Sequence, residues 1–217
     1  MTHPVVLASA SPARRALLRS SGIDPIVIVS DIDEDAVEAA ERSRHPDLTS
    51  ADLALVLACA KGRSVLRSSV RDAVEGGREG PVVIACDSVL EIDGMAYGKP
   101  GDDATARERW HQMRGHRGVL HTGHWVSDQA RGFEATGTAS TVVHFAELDD
   151  DEIDGYVATG EPLRVAGGFT LDGLGAPFVS SIEGDPSCVV GLSLPLLRDL
   201  TRSLGIRWWD LAAAPGS

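Results

Sequence analysis

Cysteine, positive charge and long apolar runs are all scarce in this chain, and each scarcity excludes something. The three cysteines of the 217 residues, Cys59, Cys86 and Cys188, are odd in number and widely spaced. Neither a disulfide framework nor a zinc knuckle follows from them, and a reducing, cytoplasmic setting is expected. Lys and Arg total 20 against 32 Asp and Glu, a formal charge of -12. A protein that tracks nucleic-acid phosphates needs a basic face, so no nucleic-acid partner is expected. No apolar run approaches the roughly 20 residues that span a bilayer, and no signal-peptide order opens the sequence, so no membrane partner is expected either. Internal repeats, a Walker P-loop and a dinucleotide fingerprint are likewise missing. With 43% hydrophobic residues, the chain has enough apolar material for one domain, or one domain with a lobe.

What is there begins at the N-terminus. Val5, Val6 and Leu7 read as a buried strand, Ser11 as an N-cap and Pro12 as the first helical residue, where a missing N–H costs nothing. Free N–H groups and the positive helix end would then face Ser9, Ser11 and Arg14, a natural anion site, although a capped helix with surface arginines reads the same way. A second strand is expected over 25–29, followed by the acidic run Asp31 to Asp35, and a long helix over 50–67 with Ser50 as its cap. The stretch 68–81 reads as a mobile connector. Pro81 to Cys86 is a buried-strand run with Asp87-Ser88 at its C-terminal end, the position where ligands collect in α/β sheets. A hairpin through Asp93-Gly94, a helix over 103–113, paired antiparallel strands over 118–127 and 135–145, a helix over 147–157 and a final helix over 195–203 complete an α/β reading.

A carboxylate after a continuous apolar run is either desolvated or paired, which makes Asp87 the leading catalytic candidate, with a turn-capping aspartate as its plain alternative. Lys61 and Lys99 are lone cations in an acidic chain; converging with Arg14, they would hold a polyanion. The acidic pair Asp33-Glu34 and the Asp87 carboxylate could supply hard oxygens to Mg²⁺ or Mn²⁺, with a solvated loop as the plain alternative for the acidic run. His116, His121 and His124 suggest zinc less well, because strand alternation sends His121 and His124 to opposite faces.

These pieces together resemble the Maf family of nucleoside triphosphate pyrophosphatases. Leu7-Ala8-Ser9-Ala10-Ser11-Pro12 with Arg14, Asp33-Glu34, Leu57-Ala58 with Lys61, Ala85-Cys86-Asp87-Ser88-Val89 and Gly98-Lys99-Pro100 match in order. Thr122-Gly123, Thr159-Gly160-Glu161-Pro162, Ala166-Gly167 and Ile182-Glu183-Gly184-Asp185 continue the series. Each piece is short, and their order over most of the chain is what makes the match specific. The resemblance implies an elongated α/β fold with a mixed twisted sheet flanked by helices. It also implies a single domain over 1–217, two lobes around a nucleotide cleft, and a homodimer. It implies hydrolysis of a nucleoside triphosphate between its α- and β-phosphates, in a house-cleaning role, with a divalent metal as cofactor. Asp87 would accept the proton of the attacking water; Ser9, Arg14, Lys61 and Lys99 would bind phosphate; Glu34 and Asp87 would hold the metal. Three positions depart from the family pattern at residues associated with base selection: Ala13 for arginine, Ser88 for threonine and Asp172 for glutamine. An ionised Asp172 only accepts hydrogen bonds, which suits a guanine-type edge better than a pyrimidine. A non-catalytic, nucleotide-binding regulator of cell division and a phosphatase of another ester or anhydride are the competing readings.

Overall fold

The computed structural model describes residues 3–68 and 80–212. The connector expected over 68–81 lies outside the described residues except at its ends. Among these residues seven strands form one mixed sheet: β1 (Val5–Leu7), β2 (Ile26–Val27), β3 (Val82–Ile92), β4 (Met95–Tyr97), β5 (Arg117–Asp128), β6 (Phe133–Phe145) and β7 (Val179–Glu183). Their order is β2-β1-β3-β5-β6-β7, with β4 paired to β3 alone. β1 pairs in parallel with β2 and β3, and the remaining pairings are antiparallel. Among the described residues seven α-helices accompany it: α1 (Pro12–Ser20), α2 (Glu34–Arg44), α3 (Ser50–Ser68), α4 (Asp103–Met113), α5 (Asp150–Ala158), α6 (Pro186–Val190) and α7 (Leu194–Ser203).

Strand alternation sorts β3 between two layers. Val83, Ala85 and Val89 join the clusters under α3, with Val6, Val65, Trp125, Leu53 and Leu57. Ile84, Cys86 and Leu90 join the opposite clusters, with Leu18, Leu197 and Leu200 at one end and Trp110, Phe145 and Tyr156 at the other. The α3 backbone lies so close to the sheet that a Cβ on Gly123 would stand 2.3 Å from the Ala54 carbonyl. That intimacy fixes the side chains of α3 against the α3-facing residues of β3.

Several expectations change. β3 does not stop at Cys86. It continues unbroken to Ile92, because it pairs with β5 from Val82↔Asp128 to Glu91↔Val119. Asp87 therefore sits in mid-strand, and the strand end that matters is that of β1. The acidic run starts a helix: the Asp33 side chain accepts from Ala36 N at 3.0 Å and caps α2. Thr49, not Ser50, caps α3, accepting from Asp52 N at 3.1 Å. The helix expected from 147 begins at Asp150, with Asp149 and Glu152 closing a reciprocal capping box. β2 holds only Ile26 and Val27, and β7 and α6 stand in what reads as loop. The Asp93-Gly94 hairpin holds, both residues having positive φ. Among the described residues no helix is long and apolar enough to cross a membrane.

Candidate active site

β1 ends at Leu7 while β3 runs on beside it, so the loop after β1 passes next to Cys86, Asp87 and Ser88. The α1 N-terminus opens there, with Ser11 Oγ accepting from Arg14 N at 3.3 Å. A cavity of about 1170 Å³ occupies this space. Ser9, Ala13, Arg14, Glu34, Lys61, Asp87, Ser88, Lys99 and Asp172 all line it. Every site residue expected from the sequence is thus brought to one place. The chain has only two lysines, Lys61 and Lys99, and both are there.

Lys61 is held by α3 and Asp87 by the facing side of β3. The Lys61 ammonium donates to Asp87 Oδ1 in a short contact and stands 2.9 Å from Glu34 Oε1. Lys99 Nζ lies 3.9 Å from the same Glu34 oxygen, with its side chain 57% exposed. Burial pushes the Asp87 carboxyl above its ordinary range, against the pull of the Lys61 and Arg14 charges. For Glu34, burial also pushes upward, but the Lys61 hydrogen bond and the Lys61, Lys99 and Arg14 charges outweigh it and hold the carboxyl low.

Two hard carboxylates already share one cation, the ammonium, and that donor chemistry fits Mg²⁺ or Mn²⁺ completed by substrate oxygens. Among the described residues no group of three or more His, Cys, Asp and Glu could hold a metal ion. The histidines do separate across the sheet. His121 Nδ1 meets Ser140 Oγ at 2.8 Å. His124, fully buried, accepts from Ser193 N at 2.8 Å, and burial depresses its pKa to about 4.

Arg14 is buried, and its guanidinium makes four hydrogen bonds: Nε to Gly191 O (2.6 Å), Nη1 to Cys86 O (2.8 Å) and Ser9 Oγ (3.1 Å), Nη2 to Ser88 Oγ (3.0 Å). It ties the loop after β1, the middle of β3 and the end of α6 into one floor. Four of its five donors are spent on that floor. Ser9 Oγ accepts from Arg14 and from Ser11 N at 3.2 Å, which leaves its O–H to donate. Thr122 Oγ1 donates to Cys188 O at 2.9 Å, so Ser88 must donate to Thr122 at 2.9 Å while accepting from Arg14. The Ser88 hydroxyl is committed to that chain. Ala13 is half-buried and Asp172 exposed.

Sequence reasoning missed Arg164, an exposed cation on the cavity wall. It also assigned no role to Glu161, whose carboxylate gathers donors from around the same wall. The rarity of lysine was a signal available in the sequence; nothing comparable distinguishes Arg164 from the chain's other arginines.

A family profile described as Maf-like protein matches residues 4–204. The chain belongs to the Maf family. It is similar to proteins named nucleoside triphosphate pyrophosphatase. That of Salinispora tropica is 54% identical over 202 residues, covering 93% of this chain and 84% of the relative. That of Streptomyces coelicolor is 53% identical over 201 residues, covering 93% and 90%. That of Leifsonia xyli subsp. xyli is 49% identical over 208 residues, covering 94% of each. The Maf match includes every segment that lines the cavity.

Proposed function

We propose that this Maf protein hydrolyses nucleoside triphosphates between the α- and β-phosphates, giving nucleoside monophosphate and pyrophosphate. The observation that carries the reading is the meeting of both lysines of the chain with Glu34 and Asp87 in one cavity beside a helix N-terminus. The volume, about 1170 Å³, is ample for a nucleotide.

Asp87 takes a proton from water as the water oxygen bonds to the α-phosphorus and the bond to the bridging oxygen breaks. A carboxylate pushed above its ordinary range is a better base for that task than a free one. Lys99, Arg164 and Ser9 meet phosphate oxygens from the rim and the loop. Lys61 turns from its carboxylates toward substrate, and Arg14 adds charge from the floor while holding Ser9 in place. Seven carboxylates line the cavity against four cations: Asp33, Glu34, Asp35, Glu38, Asp87, Glu161 and Asp172 face Arg14, Lys61, Lys99 and Arg164. A triphosphate meets net repulsion there unless a divalent cation accompanies it. Glu34 and Asp87 would hold that cation, Mg²⁺ or Mn²⁺, and it would supply positive charge to the phosphate oxygens.

Asp172, with Ala13, marks the base end, and an acceptor-only carboxylate favours a purine of the guanine type over a pyrimidine, while the Ser88 hydroxyl, tied to Arg14 and Thr122, bears on base choice only through the Arg14 floor. The single domain over 1–217, its two lobes and the homodimer belong to the same proposal. A product-resolved assay over a panel of nucleotides with Mg²⁺ or Mn²⁺ tests it. Pyrophosphate as first product is expected. Orthophosphate would end the α–β cleavage reading, and tight binding without turnover across the panel would favour a nucleotide-sensing regulator.

A further inference from the structure

Glu161 lies in the cavity wall just before the turn Pro162–Arg164, and its carboxylate is wrapped by the loop 170–175. Oε1 accepts from Tyr156 Oη (3.0 Å), Thr170 Oγ1 (2.6 Å) and Gly175 N (3.1 Å); Oε2 accepts from Leu174 N (3.0 Å). Thr170 Oγ1 also accepts from Gly175 N at 3.1 Å, closing the loop on itself around the carboxylate. The wrap leaves no room for side chains. A Cβ on Gly173 would stand 2.6 Å from Glu161 Oε2, and one on Gly175 would stand 2.5 Å from Tyr156 Oη. Asp172 is at the middle of this loop, exposed, and lines the cavity.

A carboxylate receiving two main-chain N–H groups and two hydroxyls is a charge-assisted anchor, stronger than neutral contacts of the same number. We propose that Glu161 is the positioning residue for base selection. By gathering Thr170, Leu174 and Gly175 onto one carboxylate, it sets where Asp172 meets the nucleobase, while the phosphate end is held by other elements. The proposal rests on the reading of Asp172 as the base-contacting residue. Glu161 touches no reacting atom; its effect passes through the loop.

The test compares Glu161→Ala, Glu161→Gln and Asp172→Asn in the full chain. The readouts are the ratio of kcat/KM between a guanine and a pyrimidine nucleoside triphosphate, and the inhibition constant of inorganic tripolyphosphate, which has no base. Glu161→Ala removes all four acceptor contacts and is expected to bring the base ratio about tenfold toward unity, with the same tripolyphosphate inhibition constant as Glu161→Gln, which removes the same charge from the cavity. Glu161→Gln keeps an Oε1 for three of the four donors and should restore most of the ratio. A ratio that does not move, or a tripolyphosphate constant that differs between Glu161→Ala and Glu161→Gln, overturns the proposal. If Glu161→Ala does not fold, Thr170→Val carries the same test, since it deletes the hydroxyl that bridges Glu161 and Gly175 N. Were the wild type to lack turnover, the same ratio is read from dissociation constants. A ratio moved by Glu161→Ala but untouched by Asp172→Asn sinks the base reading at Asp172 and keeps the loop anchoring; the converse sinks the anchoring.

Discussion

Replacing Lys61 with Met should weaken the fold and strengthen metal binding at once, because the ammonium stands where a divalent ion would have to go. Met keeps most of the buried stem and removes only the charge. The side chains of Lys61 and Asp87 are 11% and 10% exposed, and that of Glu34 is 39% exposed. Removing one partner of a buried pair typically costs 3–5 kcal/mol, roughly. Here Glu34 can turn toward solvent, which screens part of the loss, so about 2 kcal/mol is expected. For a chain of this size that is a fall in Tm of about 4–8 °C. Without Lys61 the Asp87 carboxyl is raised further, so the folded state binds more protons than the unfolded one. The deficit therefore shrinks as pH falls through the raised Asp87 range, and is full above it. The freed carboxylates should then take Mn²⁺ without first displacing a cation, and saturating Mn²⁺ should raise the Tm of Lys61→Met more than that of the wild type. Thermal melts with and without Mn²⁺, at two pH values, read all of this. Equal Mn²⁺ shifts in the two proteins, or a wild-type Tm in the variant, would refute the argument that Lys61 holds the carboxylates together.

Asp87→Asn should lower kcat about 10²- to 10⁴-fold, a larger effect than any change in nucleotide affinity, and the acid limb of the wild-type kcat/KM profile should lie above the ordinary carboxylate range because burial raises this group. Steady-state kinetics over pH checks both, and an acid limb at the unperturbed value would remove Asp87 as the base. Lys99→Ala should raise KM about tenfold with little change in Tm, since its side chain is 57% exposed and the Glu34 carboxylate it faces is 3.9 Å away; the KM effect should fade with added salt. Gly191→Ala would force φ of 111° on an L-residue and bring a Cβ within 3.1 Å of Arg14 Nε. A loss of about 1–3 kcal/mol in denaturant melts is expected, accompanied by lower activity because the Arg14 floor shifts.

The local elements were readable where short-range chemistry decides them. Ser11 caps and Pro12 opens α1 as their types require, and Asp93-Gly94 turns the hairpin. α2 was not legible in the acidic run, because Asp33 serves as a cap only once the chain commits to that helix. Asp87 was placed at a strand end because polarity interrupts the apolar run there. The strand in fact continues, since β5 supplies partners for the backbone and Lys61 one for the carboxylate. Ser88 shows the same limit: its hydroxyl is committed through Arg14 and Thr122, neither of which is near it in sequence.

The sequence by itself determined which chemical groups exist: two lysines in an acidic chain, a carboxylate among apolar residues, and hydroxyls before a proline-started helix. It also carried the ordered Maf signature. Only the tertiary structure decided that these groups meet. Lys61 and Asp87 are 26 positions apart, Arg14 and Ser88 are 74, Arg14 and Gly191 are 177. Short-range propensities carry no information over such separations. What joins them is the pairing of β1 beside β3, the close seating of α3 on the sheet, and a buried guanidinium whose donors had to find acceptors from three segments.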